Sequence, residues 1–236
     1  DNEKTMMMRR GLAFRCARGF ARPRGEMRCR RGNSSRAKRV RQHVNPFAGK
    51  LGTLKMLPEH LDWDKKLARP DLPFHVDLGC ALGNYLFACA ERSPDVNFVG
   101  LEIRKQIVDI DAHRQARKAV DNLTFLHCNL IVPGALDAVL SSMRGNVRSV
   151  SIFHPDPNFK KRLKKRTVLT PTLADSLARG LPSGCHVYIQ SDVEKLFLEM
   201  ESVLSNSCDF EALPDEEIRQ DFCSERENVM GIPTDR

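Results

Sequence analysis

From residue 41 onward the chain alternates short β-branched runs with longer segments at helical spacing, and this alternation restricts the fold more than any other feature. Parallel strands need a crossover between them, so the pattern predicts a parallel sheet with helices on both faces. The candidate strands are residues 74–80, 97–103, 123–129, 147–154, 185–192 and 208–213. Arg104–Val120 is predicted as a helix, with Ile107, Ile110, Ala112, Ala116 and Ala119 as its inner face. In Val193–Asn206 the residues Leu196, Phe197, Met200, Val203 and Leu204 share one stripe, and Ser191 with Glu194 reads as a capping box. Thr170-Pro171 announces a further helix, an N-cap followed by proline at the first helical position. The class that follows is a doubly wound α/β domain over about residues 70–213, with Arg41–Arg69 packed against it.

Charge divides the chain. Residues 1–46 hold 14 Lys or Arg against Asp1, Glu3 and Glu26, a balance of +11, whereas the remainder carries 24 basic against 27 acidic residues, a balance of −3. A basic head on a nearly neutral body restricts any nucleic-acid argument to local clusters. Residues 1–40 are therefore expected to lie outside the fold, either as an organelle transit peptide or as a disordered basic arm that adds affinity for RNA. The plastid or mitochondrion is the expected location, with cytoplasm or nucleus as the alternative. No apolar run approaches the roughly 18 to 20 residues of a membrane-spanning helix. The eight cysteines include no CxxC pair and mostly sit in apolar runs, so neither a disulfide framework nor a structural metal site is expected.

The first strand leads into VDLGCALGNYLFACA, where Asp77, Gly79 and Gly83 precede an immediate helical pattern. Small residues suit a turn at which a ligand and a helix start approach the chain closely. The glycines stand four apart with Ala81 between them, so the dinucleotide pattern GxGxxG is not met. Glu102 follows 23 residues after Gly79, where an acidic group can meet ribose hydroxyls, and Asn129 ends the third strand, where an amide can meet an adenine edge. Singly, Asp77 and Glu102 also read as caps and Asn129 as a loop anchor. Together, at three successive strand ends, they point to a nucleoside-bearing ligand. Carboxylates without a pyrophosphate fingerprint favour a cationic cofactor such as S-adenosylmethionine, with NAD as runner-up.

The fourth strand runs into HPDPNFKKRLKKR. Pro155 and Pro157 stiffen the chain around Asp156, and six of the seven residues from Lys160 to Arg166 are basic. Such a run can bind phosphates, and Phe159 beside it offers a ring on which a base could stack.

These stretches resemble the tRNA (guanine-N7)-methyltransferase family, which modifies guanine 46 of the tRNA variable loop. The likeness is carried by RQHVNPF at 41–47, VDLGCALGNYLFACAERSPDVNFVGLEI at 76–103, FHPDPNFKKRLKKR at 153–166 and GIPTDR at 231–236. It implies a Rossmann-like class I S-adenosylmethionine-dependent methyltransferase domain over 41–236. Asp77, Gly79, Gly83, Glu102 and Asn129 would then hold S-adenosylmethionine, and Asp156 would be the active-site acid. Asp192 and Thr234 would place the guanine, and Lys160, Lys161, Arg162, Lys164, Lys165 and Arg166 would contact tRNA. Arg41, Gln42, His43 and Asn45 belong to the family's N-terminal signature, taken as a tRNA or active-site contact.

Two departures stand out. Asn158 replaces the Trp or His common after PDP, and the motif begun by Thr234 normally continues to a Glu and a final antiparallel strand, so a C-terminal truncation at Arg236 is expected. The competing readings are a class I methyltransferase for another RNA, a protein or a small molecule, and a noncatalytic RNA-binding subunit. The RQHVNPF form favours a self-sufficient enzyme, monomer or homodimer, over one that needs a partner subunit.

Overall fold

A computed structural model describes residues 10–16, 45–47, 61–143 and 146–214. Seven strands form one sheet: β1 (Arg10–Cys16), β2 (Phe74–Leu78), β3 (Asn97–Glu102), β4 (Leu123–His127), β5 (Val147–Phe153), β6 (His186–Ser191) and β7 (Phe210–Ala212). Their order across the sheet is β4-β3-β2-β5-β6-β1-β7. Strands β2 to β6 are mutually parallel, and β1 runs antiparallel to both of its neighbours. Between them lie α1 (Asn84–Arg92), α2 (Lys105–Lys118), α3 (Ala135–Ser142), α4 (Pro171–Gly180) and α5 (Glu194–Ser205), with a 3-10 helix over Lys161–Arg166. β2 and β3 are buried along their whole length, as strands covered by helices on both faces must be.

The six strands expected from the alternation all form, each within a few residues of its predicted bounds. Thr170 caps α4 as the Thr-Pro pair implies, its Oγ1 accepting the Leu173 N–H at 3.2 Å. The capping box before α5 does not form. Ser191 Oγ instead accepts the N–H of Val193 at 3.1 Å, a tighter turn that leaves α5 without a side-chain cap. On α2 the buried residues are Ile107, Val108 and Asp111, while Ala112, Ala116 and Ala119 are exposed. Small alanines contribute little apolar area, so packing follows Ile107 and Val108 and rotates the helix away from the predicted face.

The expectation that residues 1–40 lie outside the fold does not hold for residues 10–16. β1 occupies the gap between β6 and β7, with Arg10 to Arg15 in register against Ser191 to His186 and Phe14 to Cys16 against Ala212 to Phe210. Ala13 and Phe14 are fully buried there. A four-residue apolar run inside an arginine-rich head is too short to stand out by composition, and only the open pairing edges of β6 and β7 give it a place. From the 61–69 stretch Trp63 joins the core, its ring 5.2 Å from Phe74 and its Nε1–H donating to the Ser142 carbonyl at 3.1 Å. This is the packing expected of the Arg41–Arg69 segment, seen for its 61–69 portion; residues 41–44 and 48–60 lie outside the described residues.

Candidate active site

The chain adds β3 and β4 on one side of β2, then β5 and β6 on the other, so the sheet changes its direction of growth between β2 and β5. At such a point the loops at the carboxyl ends diverge and leave a crevice. Asp77 stands near the end of β2, Glu102 closes β3, Asn129 follows β4, Asp156 follows β5 and Asp192 follows β6. All five predicted polar residues therefore lie along one edge of the parallel sheet. Thr234, Arg41, Gln42 and His43 lie outside the described residues.

The turn after β2 is built from left-handed residues: Gly79 at φ 89°, Ala81 at φ 48° and Gly83 at φ 60°. At Gly83 a Cβ would stand 2.5 Å from Cε1 of Phe125, so only glycine allows the turn to close on β4. At Gly79 a Cβ would meet nothing within 4 Å, which leaves open space above the turn. Ala81 holds a conformation that L-residues adopt rarely, and its N–H donates to Glu102 Oε2 at 3.2 Å.

Glu102 is 4% exposed and densely bonded. Besides the Ala81 N–H, it accepts the Arg104 backbone N–H at 2.8 Å, Arg104 Nε at 3.0 Å and Arg104 Nη2 at 2.9 Å. The hydrogen bonds to Glu102 hold the Arg104 guanidinium above its ordinary range, and the charge of Asp156 adds to the effect. Arg104 thus bonds the Glu102 carboxylate and feels the Asp156 charge, a coupling that the sequence alone does not signal. Asp77, 5% exposed, accepts a hydrogen bond from Ser151 Oγ at 2.6 Å. Burial pushes its carboxyl up to about 7, against the pull of the Ser151 bond and with a contribution from the Glu102 charge.

The Asn129 amide is committed to protein. Its Nδ2 donates to the Pro46 carbonyl at 3.1 Å and its Oδ1 accepts the Ile131 N–H at 3.2 Å. The NPF portion of the N-terminal signature is thereby drawn to the strand-end crevice. Phe47, 42% exposed, places its ring 5.1 Å from Lys165 Nζ. This exposed aromatic beside the basic run was not singled out from sequence, although its place in RQHVNPF was the available signal.

Beyond β5, His154 takes φ 48° while buried, donates its backbone N–H to the Gln190 carbonyl at 2.8 Å and sets Nδ1 3.2 Å from Asp192 Oδ1. A buried imidazole in a strained backbone thus fastens Asp192 beside the Asp156 loop. Asp156 itself is half-buried. Asn158, the departure from the family pattern, uses Nδ2 to bind the Asp156 carbonyl at 3.0 Å and the Arg166 carbonyl at 3.4 Å, so it ties the loop to the end of the 3-10 helix. Lys160, Arg162, Lys164 and Lys165 are exposed on this helix and its start, and Arg166 is half-buried. Phe159 is not the free stacking face expected: it is half-buried against the main core, with Lys195 Nζ 5.0 Å from its ring. Among the described residues no group of three or more His, Cys, Asp or Glu side chains stands together to hold a metal.

A methyltransferase family model matches residues 71–232. The tRNA (guanine-N(7)-)-methyltransferase of Synechococcus elongatus is 39% identical over 200 residues, 84% of this chain and 88% of its own length. The protein of that name from a Nostoc strain is 41% identical over 165 residues, 69% of this chain and 72% of its own. The one from Prochlorococcus marinus is 38% identical over 200 residues, 84% of this chain and 80% of its own.

Proposed function

Because this chain belongs to the tRNA (guanine-N7)-methyltransferase family, we propose that it methylates N7 of guanine 46 in the tRNA variable loop, with S-adenosylmethionine as donor. The supporting observation is the row of Asp77, Glu102, Asp156 and Asp192 along one edge of the sheet, flanked by the exposed cations of the 3-10 helix. The crevice suits a cationic nucleoside. Gly79 leaves space where a side chain would stand, and Asp77 is a buried carboxyl that a positive ligand would draw into its ionised form. S-adenosylmethionine would supply an electrophilic sulfonium methyl group whose S–C bond pair stays with sulfur as a neutral thioether, and guanine N7 offers an unshared electron pair with no proton to remove.

The protein's task is then to position and to compensate charge. Asp77, Gly79 and Gly83 would hold the methionine end, and Glu102, now bonded to Arg104, would accept the ribose hydroxyls. Asn129 serves the adenine side through the Pro46 and Ile131 backbone it fixes. Asp156 accepts hydrogen bonds from the Watson–Crick edge of the guanine and offsets the positive charge that develops on the base. Asp192, held by His154, and Thr234 orient the guanine. Lys160, Lys161, Arg162, Lys164, Lys165 and Arg166 bind tRNA phosphates, and the protein acts as a monomer or homodimer without a partner subunit.

The arginine-rich head supports import into an organelle, and the cyanobacterial relatives favour the plastid among them. The test is methyl transfer from labelled S-adenosylmethionine to unmodified tRNA transcripts with guanine or adenine at position 46. Label in the guanine transcript alone is expected; equal label in both would overturn the assignment.

A further inference from the structure

Beneath the glycine turn, four buried or half-buried polar side chains form a continuous line. Between Phe74 and His75 the register of β2 against β5 slips by one residue and skips Arg148, which brings Ser149 opposite His75 and Ser151 opposite Asp77. Ser149 Oγ lies 2.8 Å from His75 Nδ1, Ser151 Oγ lies 3.0 Å from His75 Nε2, and Ser151 Oγ donates to Asp77 Oδ1 at 2.6 Å. The imidazole sits between aromatic rings, 6.1 Å from Tyr85 and 5.6 Å from Phe98.

We propose that His75 is a positioning residue for Asp77, acting through a one-directional hydrogen-bond relay that starts at Ser149 and ends on the Asp77 carboxylate. A serine hydroxyl has one proton. With that proton given to ionised Asp77, Ser151 must accept from His75, so Nε2 carries the hydrogen. A neutral imidazole then has a bare Nδ1, which accepts the Ser149 O–H. Burial, with the Arg148 charge adding to it, pushes His75 down to about 3, so the ring stays neutral and can play both parts. When Asp77 takes up a proton the line reverses: Asp77 donates to Ser151, Ser151 to Nε2, and Nδ1–H to Ser149. One proton is added, at Asp77, and His75 changes tautomer.

The other titratable and charged groups facing this line are the Tyr85 hydroxyl and Cys89 thiol on α1, the Cys80 thiol in the turn, Glu102 on β3 and Arg148 on β5. Of these, Glu102 raises Asp77 while the relay lowers it. His75 therefore holds available a carboxylate that burial would otherwise leave protonated. That consequence for the cofactor rests on Asp77 binding S-adenosylmethionine, as proposed above.

The test begins with the unaltered protein carrying 15N-labelled histidine, followed by two-dimensional NMR from about pH 5 to about pH 9. His75 is expected as Nε2–H at the alkaline end and Nδ1–H at the acid end. An imidazolium, one tautomer throughout, or Nδ1–H at the alkaline end overturns the relay. In His75→Phe, S-adenosylmethionine binding should weaken about fivefold at pH 7, and the loss should close as pH rises, because Asp77 ionises about a unit later. His75→Gln, which keeps a donor and an acceptor, should restore much of the affinity. Weakening equal at every pH, with no recovery in His75→Gln, overturns the positioning role. Asp77→Asn separates the two claims: unchanged cofactor affinity in that variant would remove Asp77 from the cofactor site, and the tautomer would still decide the relay.

Discussion

Asp111 shows what one buried charge does to a fold of this kind. It is fully buried on α2, its Oδ1 meets Arg114 Nη1 at 3.0 Å, and its Oδ2 has no hydrogen-bond partner. Burial pushes its carboxyl up to about 7, with Arg114 opposing. The folded chain thus keeps a proton that the unfolded chain releases above about pH 4, and stability falls as pH rises from there to about 7. Asp111→Asn should therefore gain on the parent protein by about 2 to 3 kcal/mol between about pH 5 and about pH 8, read from denaturant unfolding at both pH values. A constant difference would place the cause in packing. Asp156 belongs to the chemistry instead. Asp156→Asn should leave unfolding unchanged and lower kcat about a hundredfold, with cofactor affinity preserved, because a neutral amide cannot offset the charge on methylated guanine. Wild-type turnover in that variant would remove it from the active site.

At the scale of elements, the 3-10 helix over Lys161–Arg166 converts a charge run into a directed surface. Asn158 ties its end to the Asp156 loop, and Lys165 lies over the exposed Phe47 ring. Lys164 shares its charge with Glu199 at 3.8 Å, an exposed pair of small energetic weight. Replacing Lys160, Arg162 and Lys165 by Gln should raise the KM for tRNA and reduce the salt dependence of tRNA binding by about one phosphate contact per residue. Calorimetry should show cofactor affinity unaltered. A salt slope equal to that of the parent protein would make this helix a solvated surface only.

Across the whole molecule, β1 brings the start of the chain between β6 and β7, and among the described residues β7 pairs with the sheet through β1 alone. A protein starting at residue 41 should expose the edge of β6, release β7 and aggregate during expression, whereas one starting at Arg10 should remain soluble. Gel filtration of the two decides it. How much of this was legible beforehand follows from the range of each interaction. The parallel strands, the Thr170 cap, the polar residues at the strand ends and the family motifs were readable because periodicity and turn chemistry act over a few neighbouring residues. By contrast, the head of the chain reads as a charged tail until β6 and β7 offer it an edge. The Ala81–Glu102 bond, the capture of Pro46 by Asn129 and the His154–Asp192 contact depend on which surfaces meet. The same holds for the His75 line, which exists because β5 slips one residue against β2. Local pattern determined where strands and polar groups stand along the chain. Register and long-range packing decided which of those groups touch, because a contact between residues more than 70 positions apart is set by how the elements dock.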